Sequence, residues 1–145
     1  MKMKIKKIAV LGAGLMGHGI TQIAATAGFE VTMRDIEEKF VNSGLGNIKW
    51  SVNKFAEKGR IPQEDAKKTL ERIKTTVSIK DATKDADFVI EAIPEKLQLK
   101  QQTFKEMDGY APAHAILATN TSALPISEIA AATKRPEKVV GMHFF

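Results

Sequence analysis

The chain has no cysteine, which removes disulfides, thiolate metal sites and a cysteine nucleophile from its chemistry and agrees with a reducing compartment. Aromatics are few, with one tryptophan and one tyrosine in 145 residues. Beyond Trp50 and Phe55 none interleaves with the basic side chains as a stacking platform for nucleic acid would require. No apolar run approaches the roughly 18 to 20 residues of a membrane helix, and the lysine-studded start MKMKIKK passes into IAVLGAG without a small-residue cleavage pattern. A soluble, cytoplasmic protein with no membrane partner is expected. There is no Pro/Gly/Ser-rich linker, internal repeat or low-complexity tract, so residues 1–145 are expected to form one domain.

What is present is ordinary globular usage, 43% hydrophobic and 27% charged. The formal charge of +5 makes a polyanionic partner worth considering, but its distribution matters more. Lys2, Lys4, Lys6 and Lys7 crowd the start, and residues 49–74 hold eight basic side chains against four acidic ones. Solvated helix faces account for most such runs.

Residues 5–11 (IKKIAVL) are short, β-branched and bounded by glycine, so they read as a buried strand. A helix follows to about residue 27, stopped by Gly28. FEVTMRD gives a second strand with Asp35 at its end. A long helix is expected over 37–58, closed by Gly59, and another over IPQEDAKKTLERI with Pro62 in its first turn. VSI is a candidate short strand and DADFVIEAI a further one. EKLQLKQQTFKEM reads as a helix whose apolar face carries Leu97, Phe104 and Met107. AILATN and KVVGMHFF supply two more strands, separated by a short helix around ISEIAAAT. This alternation predicts an α/β fold, Rossmann-type and doubly wound, with a mainly parallel sheet, helices on both faces and a helical-pair excursion after the second strand.

Gly12-Ala13-Gly14-Leu15-Met16-Gly17 matches G-x-G-x-x-G. It follows a strand, opens a helix, and is followed by Asp35 18 positions after Gly17, close to the spacing of about 20 in dinucleotide sites. Gly12 would allow the tight turn, Gly14 the approach of backbone to a pyrophosphate, and Gly17 close helix–sheet packing, with the helix N-terminus facing the phosphates. Asp35 can accept hydrogen bonds from the adenosine ribose and would repel a 2′-phosphate, favouring NAD over NADP. The adjacent Arg34 is expected on the opposite face by strand alternation. A glycine-rich turn without a ligand is the competing reading.

EAIPE (91–95), NTS (120–122) and MHFF (142–145) end at what should be the carboxyl edge of the same sheet, where open α/β folds bind ligands. Their convergence points to a crevice. There His143 can take the proton of a substrate hydroxyl while the adjacent carbon gives up a hydride, and Ser122 can hold the same oxygen. The plainer alternatives are a packing histidine and a serine that caps the turn after its strand.

Taken together, GAGLMG with Asp35, FVIEAIPEKLQLK, ATNTSALPISEIA and RPEKVVGMHFF resemble the NAD-binding domain of the 3-hydroxyacyl-CoA dehydrogenases of fatty-acid β-oxidation, over about residues 7 to 145. The resemblance implies that residues 12 to 17 cradle NAD and Asp35 binds its ribose. It implies that Glu95 and Lys100 contact the nicotinamide half, with Ala92 and Ser122 nearby. His143 would be the base, Ser122 would position the 3-hydroxyl, and Ser51 and Lys58 would contact coenzyme A. In the family the HFF motif continues into Asn-Pro, a later glutamate orients the histidine, and a helical C-terminal domain supplies a substrate-holding asparagine and most of a homodimer interface. Those parts are absent from this sequence. The isolated chain is therefore expected to bind NAD but to be catalytically impaired, its partner half lying in cis in a parent protein or in trans. Phe144 and Phe145 are expected to be exposed and to drive association. A non-catalytic NAD(H)-binding regulatory module and a dehydrogenase of another hydroxy acid stand as alternatives.

Overall fold

The computed structural model describes residues 4–144. Six strands form one sheet, all parallel, in the order β3-β2-β1-β4-β5-β6. They are β1 Lys7–Leu11, β2 Glu30–Arg34, β3 Ile73–Thr76, β4 Phe88–Glu91, β5 Ile116–Thr119 and β6 Val139–Gly141. From β1 the chain grows outward to β3, returns across β1 to β4, and grows the other way to β6. Such reversal creates a crevice between β1 and β4 and puts helices of the two halves on opposite faces. This is the doubly wound Rossmann-type arrangement that the alternation of elements predicts.

Strand β1 serves both faces. Ile8 and Val10 pack with Ile20, Ala24 and Ala25 of α1 (Leu15–Thr26), whereas Ala9 and Leu11 pack with Phe104 and Met107 of α5 (Leu97–Tyr110). Because both faces are covered, the central strands have no polar alternation. Full burial of each large apolar side chain contributes about 1.5–3 kcal/mol. Phe104 and Met107 are buried and Leu97 packs at their margin, as the helical spacing predicts. On the α5 face lie also α4 (Ile79–Thr83) and α6 (Ile126–Ala130), and a 3-10 turn, Pro136–Lys138, leads into β6.

The excursion consists of α2 (Glu38–Glu57) and α3 (Gln63–Glu71), with Gly59 turning the chain between them at a φ of 69°. Val41, Ile48, Val52 and Ala56 of α2 and Ala66 of α3 form a separate cluster joined to the sheet through Met33. On the outer side of α2, Trp50 is 68% exposed, with the Lys54 ammonium 5.8 Å from its ring centroid.

The structure corrects the sequence reading between these helices and β4. Residues 72 and 73 leave α3, and the strand is Ile73–Thr76 rather than VSI. Arg72 closes the helix while its guanidinium donates to the Ala25 carbonyl at 2.9 Å. Ser78 accepts the Asp81 N–H at 3.1 Å and so caps α4, a helix that the periodicity did not predict. β1 begins at Lys7, two residues later than expected, and β6 ends at Gly141, before His143. Phe145 lies outside the described residues.

At the amino edge of the sheet, Asp87 accepts the Lys6 and Lys7 N–H groups at 2.9 and 3.0 Å and pairs with His114 at 2.7 Å. The His114 hydrogen bond, followed by those from the two backbone groups, brings the Asp87 carboxyl down to about 2. Among the described residues no helix is long and apolar enough to cross a membrane.

Candidate active site

The carboxyl edge of the sheet opens into a cleft of about 780 Å³. Gly12, Gly14, Leu15, Met16, Asp35, Ala92, Glu95, Lys100, Ser122 and His143 all line it, although they come from five separate stretches of chain. Ala13 and Gly17 form its backing rather than its wall.

The glycines act as their positions suggest. Gly12 has a φ of 116°, donates its N–H to the Arg34 carbonyl at 2.7 Å, and approaches β4 so closely that a Cβ would lie 2.4 Å from the Ala92 oxygen. A Cβ on Gly17 would lie 1.9 Å from the Gly12 oxygen, so only glycine lets α1 start this near the turn. Beyond its two chain neighbours, Gly14 has no protein atom within 4 Å of such a Cβ, and the bare position faces the cleft. The first turn of α1 has neither a side-chain cap nor an acidic residue, leaving its N–H groups to an anion. Asp35 is held by the Ala13 N–H at 2.9 Å and the Ile36 N–H at 2.7 Å. Leu15, Ile36 and Phe40 add an apolar rim. These features fit a dinucleotide. One close approach escaped the sequence reading: a Cβ on Gly44 would meet the Ala13 oxygen at 2.6 Å, so α2 also packs backbone-close on this loop.

Arg34 departs from expectation. It lines the same cleft as Asp35, its Nε donating to the Val77 carbonyl at 2.9 Å. β2 ends at Arg34 and the cleft lies over that end, so side chains from both faces reach it.

Beneath the cleft is a buried charged cluster. Lys100, 1% exposed, places Nζ 2.5 Å from Oε2 of the fully buried Glu91, 2.8 Å from Glu95 Oε1 and 3.2 Å from the Ile93 carbonyl. All three ammonium hydrogens thus have acceptors within the protein. Glu91 also accepts the Ile93 N–H at 2.8 Å and the Thr119 hydroxyl at 2.6 Å. Glu95 accepts the Thr121 hydroxyl at 2.7 Å and the Ser122 N–H. Desolvation pushes the Glu95 carboxyl up, but Lys100, Thr121 and Ser122 together outweigh it and hold the group below the ordinary glutamate range. Neither Glu91 nor Thr121 was singled out in the sequence, where both look like interior strand and turn residues.

The turn after β5 is capped by Thr121, whose Oγ1 accepts the Leu124 N–H at 3.1 Å, so Ser122 is not the cap. Ser122 is exposed to the cleft. His143 is no packing histidine either. The flanking backbone is pinned on both sides, Met142 N–H to the Thr119 carbonyl and Phe144 N–H to Asn120 Oδ1, each at 2.8 Å. The imidazole is exposed on the cleft wall. Asn120 is a further residue the motif contained without its role being read. Phe144, expected to be exposed, is half-buried against the cluster of Ile8, Val10 and Ile20.

Ser51 and Lys58 are not brought to the cleft. Ser51 accepts a hydrogen bond from Gln22 Nε2 at 3.0 Å, and Lys58 lies past the far end of α2. Among the described residues no group of three His, Asp or Glu side chains could hold a metal ion.

Comparison with known proteins agrees with this geometry. The family model described as 3-hydroxyacyl-CoA dehydrogenase, NAD binding domain, matches residues 7–145. A probable 3-hydroxybutyryl-CoA dehydrogenase of Bacillus subtilis is 47% identical over 98% of this chain and 49% of its own. The mitochondrial hydroxyacyl-coenzyme A dehydrogenase of Homo sapiens is 39% identical over 99% and 48%. The crystal structure of (S)-3-hydroxybutyryl-CoA dehydrogenase from Ralstonia eutropha superposes with a TM-score of 0.94 at 37% identity, covering 98% of this chain and 50% of that one. The chain thus spans about half the length of these relatives. NAD is the cofactor, and the match over residues 7–145 makes the chain a member of the NAD-binding domain family of the 3-hydroxyacyl-CoA dehydrogenases.

Proposed function

We propose that the chain is the cofactor-binding half of a dehydrogenase that interconverts (S)-3-hydroxyacyl-CoA and 3-oxoacyl-CoA in fatty-acid β-oxidation, within the cytoplasm. The observation that carries this reading is that Ser122 and His143, which follow β5 and β6, line the same cleft as the Gly12–Gly14 turn and Asp35, which follow β1 and β2 on the other side of the sheet's midpoint. NAD, when bound, supplies the hydride acceptor. The N–H groups that open α1 hold the pyrophosphate in the turn that Gly12 to Gly17 shape, the Gly12 and Ala13 N–H groups being engaged by the Arg34 carbonyl and by Asp35, and Asp35 accepts the adenosine ribose hydroxyls. Ala92 and Glu95 border the nicotinamide end, and Lys100 acts there through Glu95. The Ser122 hydroxyl donates to the substrate oxygen, and His143 removes its proton as the carbon loses hydride.

Ser51 and Lys58 are assigned to coenzyme A, with Lys58 opposite a phosphate. From Phe40 on the rim, α2 carries the chain roughly 27 Å to Lys58 at 1.5 Å per residue. An extended ligand lying along α2 would span that distance. The relatives' additional length supports a second domain that closes the acyl pocket, orients His143 and forms a homodimer. Alone, the chain is expected to bind NADH and turn over several orders of magnitude more slowly than with that half.

Calorimetric titration with NADH and NADPH tests the cofactor assignment: saturable NADH binding with much weaker NADPH binding is expected, and equal affinities would overturn it. Reduction of acetoacetyl-CoA by the chain combined with a separately produced C-terminal half tests the reaction. Normal turnover by the chain alone would overturn the division of labour.

A further inference from the structure

The charges lining the cleft are unevenly balanced. Arg34 and Asp35, adjacent and opposite in sign, lie together at the Gly12 end. Lys100 is shared between two carboxylates, with its third hydrogen on a backbone carbonyl. Glu91 is wholly buried, whereas the Glu95 side chain is 46% exposed and is the member of the cluster that opens onto the cleft. Each carboxyl is met by three donors, Glu91 by Lys100, the Ile93 N–H and the Thr119 hydroxyl, and Glu95 by Lys100, the Thr121 hydroxyl and the Ser122 N–H, so the cluster sets two carboxylates against one ammonium and leaves a net negative charge. It is fixed in place, because Lys100, the Thr121 hydroxyl and the Ser122 N–H all hold Glu95.

This inference rests on the function proposed above. If His143 removes the proton of a substrate hydroxyl, the hydride-accepting ring must lie beside the same carbon, at the end of the cleft shared by Glu95, Ser122 and His143. We propose that the uncompensated charge of the Glu91–Lys100–Glu95 cluster tilts this site toward the oxidised, cationic nicotinamide over the reduced, neutral one. Glu95 is then a specificity-determining group for the cofactor's oxidation state, and Lys100 and Thr121 are positioning residues that act through it. Most of the cofactor is common to both forms and interacts with the Gly12–Gly17 turn and Asp35 at the other end. The bias therefore resides in the difference between two affinities and is invisible in either one alone.

The test compares NAD and NADH affinities by calorimetry in three chains. Glu95→Gln removes the charge while keeping the shape of the side chain, with a carbonyl that can accept from Lys100 in place of Oε1 and an amide that can donate to the Thr121 hydroxyl in place of Oε2. It is expected to shift the ratio of the two dissociation constants at least fivefold in favour of NADH, about fivefold being what Coulomb's law gives for a unit charge about 4 Å from a cation with the full screening of bulk water. Thr121→Val removes one of the three contacts that hold Glu95 without altering its charge and is expected to shift the ratio in the same direction but less than about twofold, Lys100 and the Ser122 N–H still holding the carboxylate. An unchanged ratio in Glu95→Gln overturns the inference, as does an equal change of ratio in both variants, which would make the effect one of geometry. Should the glutamine variant fail to fold, Glu95→Ala is read in its place and carries the same expected shift. Wild-type chain that binds neither form overturns the proposed function itself, whereas wild-type binding with no charge-dependent ratio overturns only this step.

Discussion

Gly14 and Gly17 stand three positions apart in one turn and answer to different neighbours. The space a Gly17 side chain would enter is taken by the Gly12 backbone, while the space beside Gly14 holds no protein atom beyond its two chain neighbours. Gly17→Ala should therefore destabilise the fold by about 1–3 kcal/mol, the usual cost of overpacking, and more if the turn cannot shift. Gly14→Ala should leave stability within about 0.5 kcal/mol of the wild type and weaken NADH binding at least tenfold, read by urea denaturation and calorimetry on the same samples. A stability loss at Gly14 would show that the loop, and not the cofactor, requires that glycine. The turn, Asp35 and His143 were legible because each depends on local spacing and on the end of a strand. Glu91, Asn120 and Thr121 were not, because their roles arise from partners 9 to 28 residues away.

At the carboxyl edge polar side chains tie neighbouring elements together. Through Glu91, Lys100 and Thr119 the cluster fastens β4, α5 and β5 into one unit. Lys100→Met leaves a buried carboxylate without its counter-ion and should cost about 3–5 kcal/mol, most of it recovered in the double variant Lys100→Met/Glu91→Gln. Urea midpoints of the three chains check this, and a double variant no more stable than the single one would refute it. At the start of α4, Ser78→Ala removes the cap and should cost about 1 kcal/mol. The same cap explains why β3 was misplaced. Ile73–Thr76 is a half-exposed edge strand paired only with β2, so its KTT segment lacks the apolar run of the central strands. Val77 and Ile79 offered a more strand-like pattern, but Ser78 and Asp81 commit that stretch to a helix start. Central strands were legible because burial on both faces leaves them little choice of residue.

Across the whole molecule the two edges of the sheet divide the work: the carboxyl edge carries the cleft, and the amino edge is tied together by Asp87. The Asp87 carboxyl titrates at about 2 in the folded chain against an ordinary value of 3.8. Its stabilisation is therefore complete above pH 3.8 and lost as pH falls through about 2. Asp87→Asn should flatten the acid side of the melting-temperature profile in that window, with no effect on NADH affinity at neutral pH. A parallel slope in wild type and variant would place the acid sensitivity elsewhere. The cleft was legible at this scale because a parallel sheet sends every strand's carboxyl end the same way, so motifs distant in sequence had to converge. Trp50 has a practical consequence for all these measurements. It is the sole tryptophan, exposed on α2 ten residues beyond the rim residue Phe40, roughly 15 Å along the helix. Indole emission overlaps the absorption of reduced nicotinamide but not of oxidised, so the chain carries a built-in optical gauge that dims by energy transfer when NADH binds and stays bright with NAD.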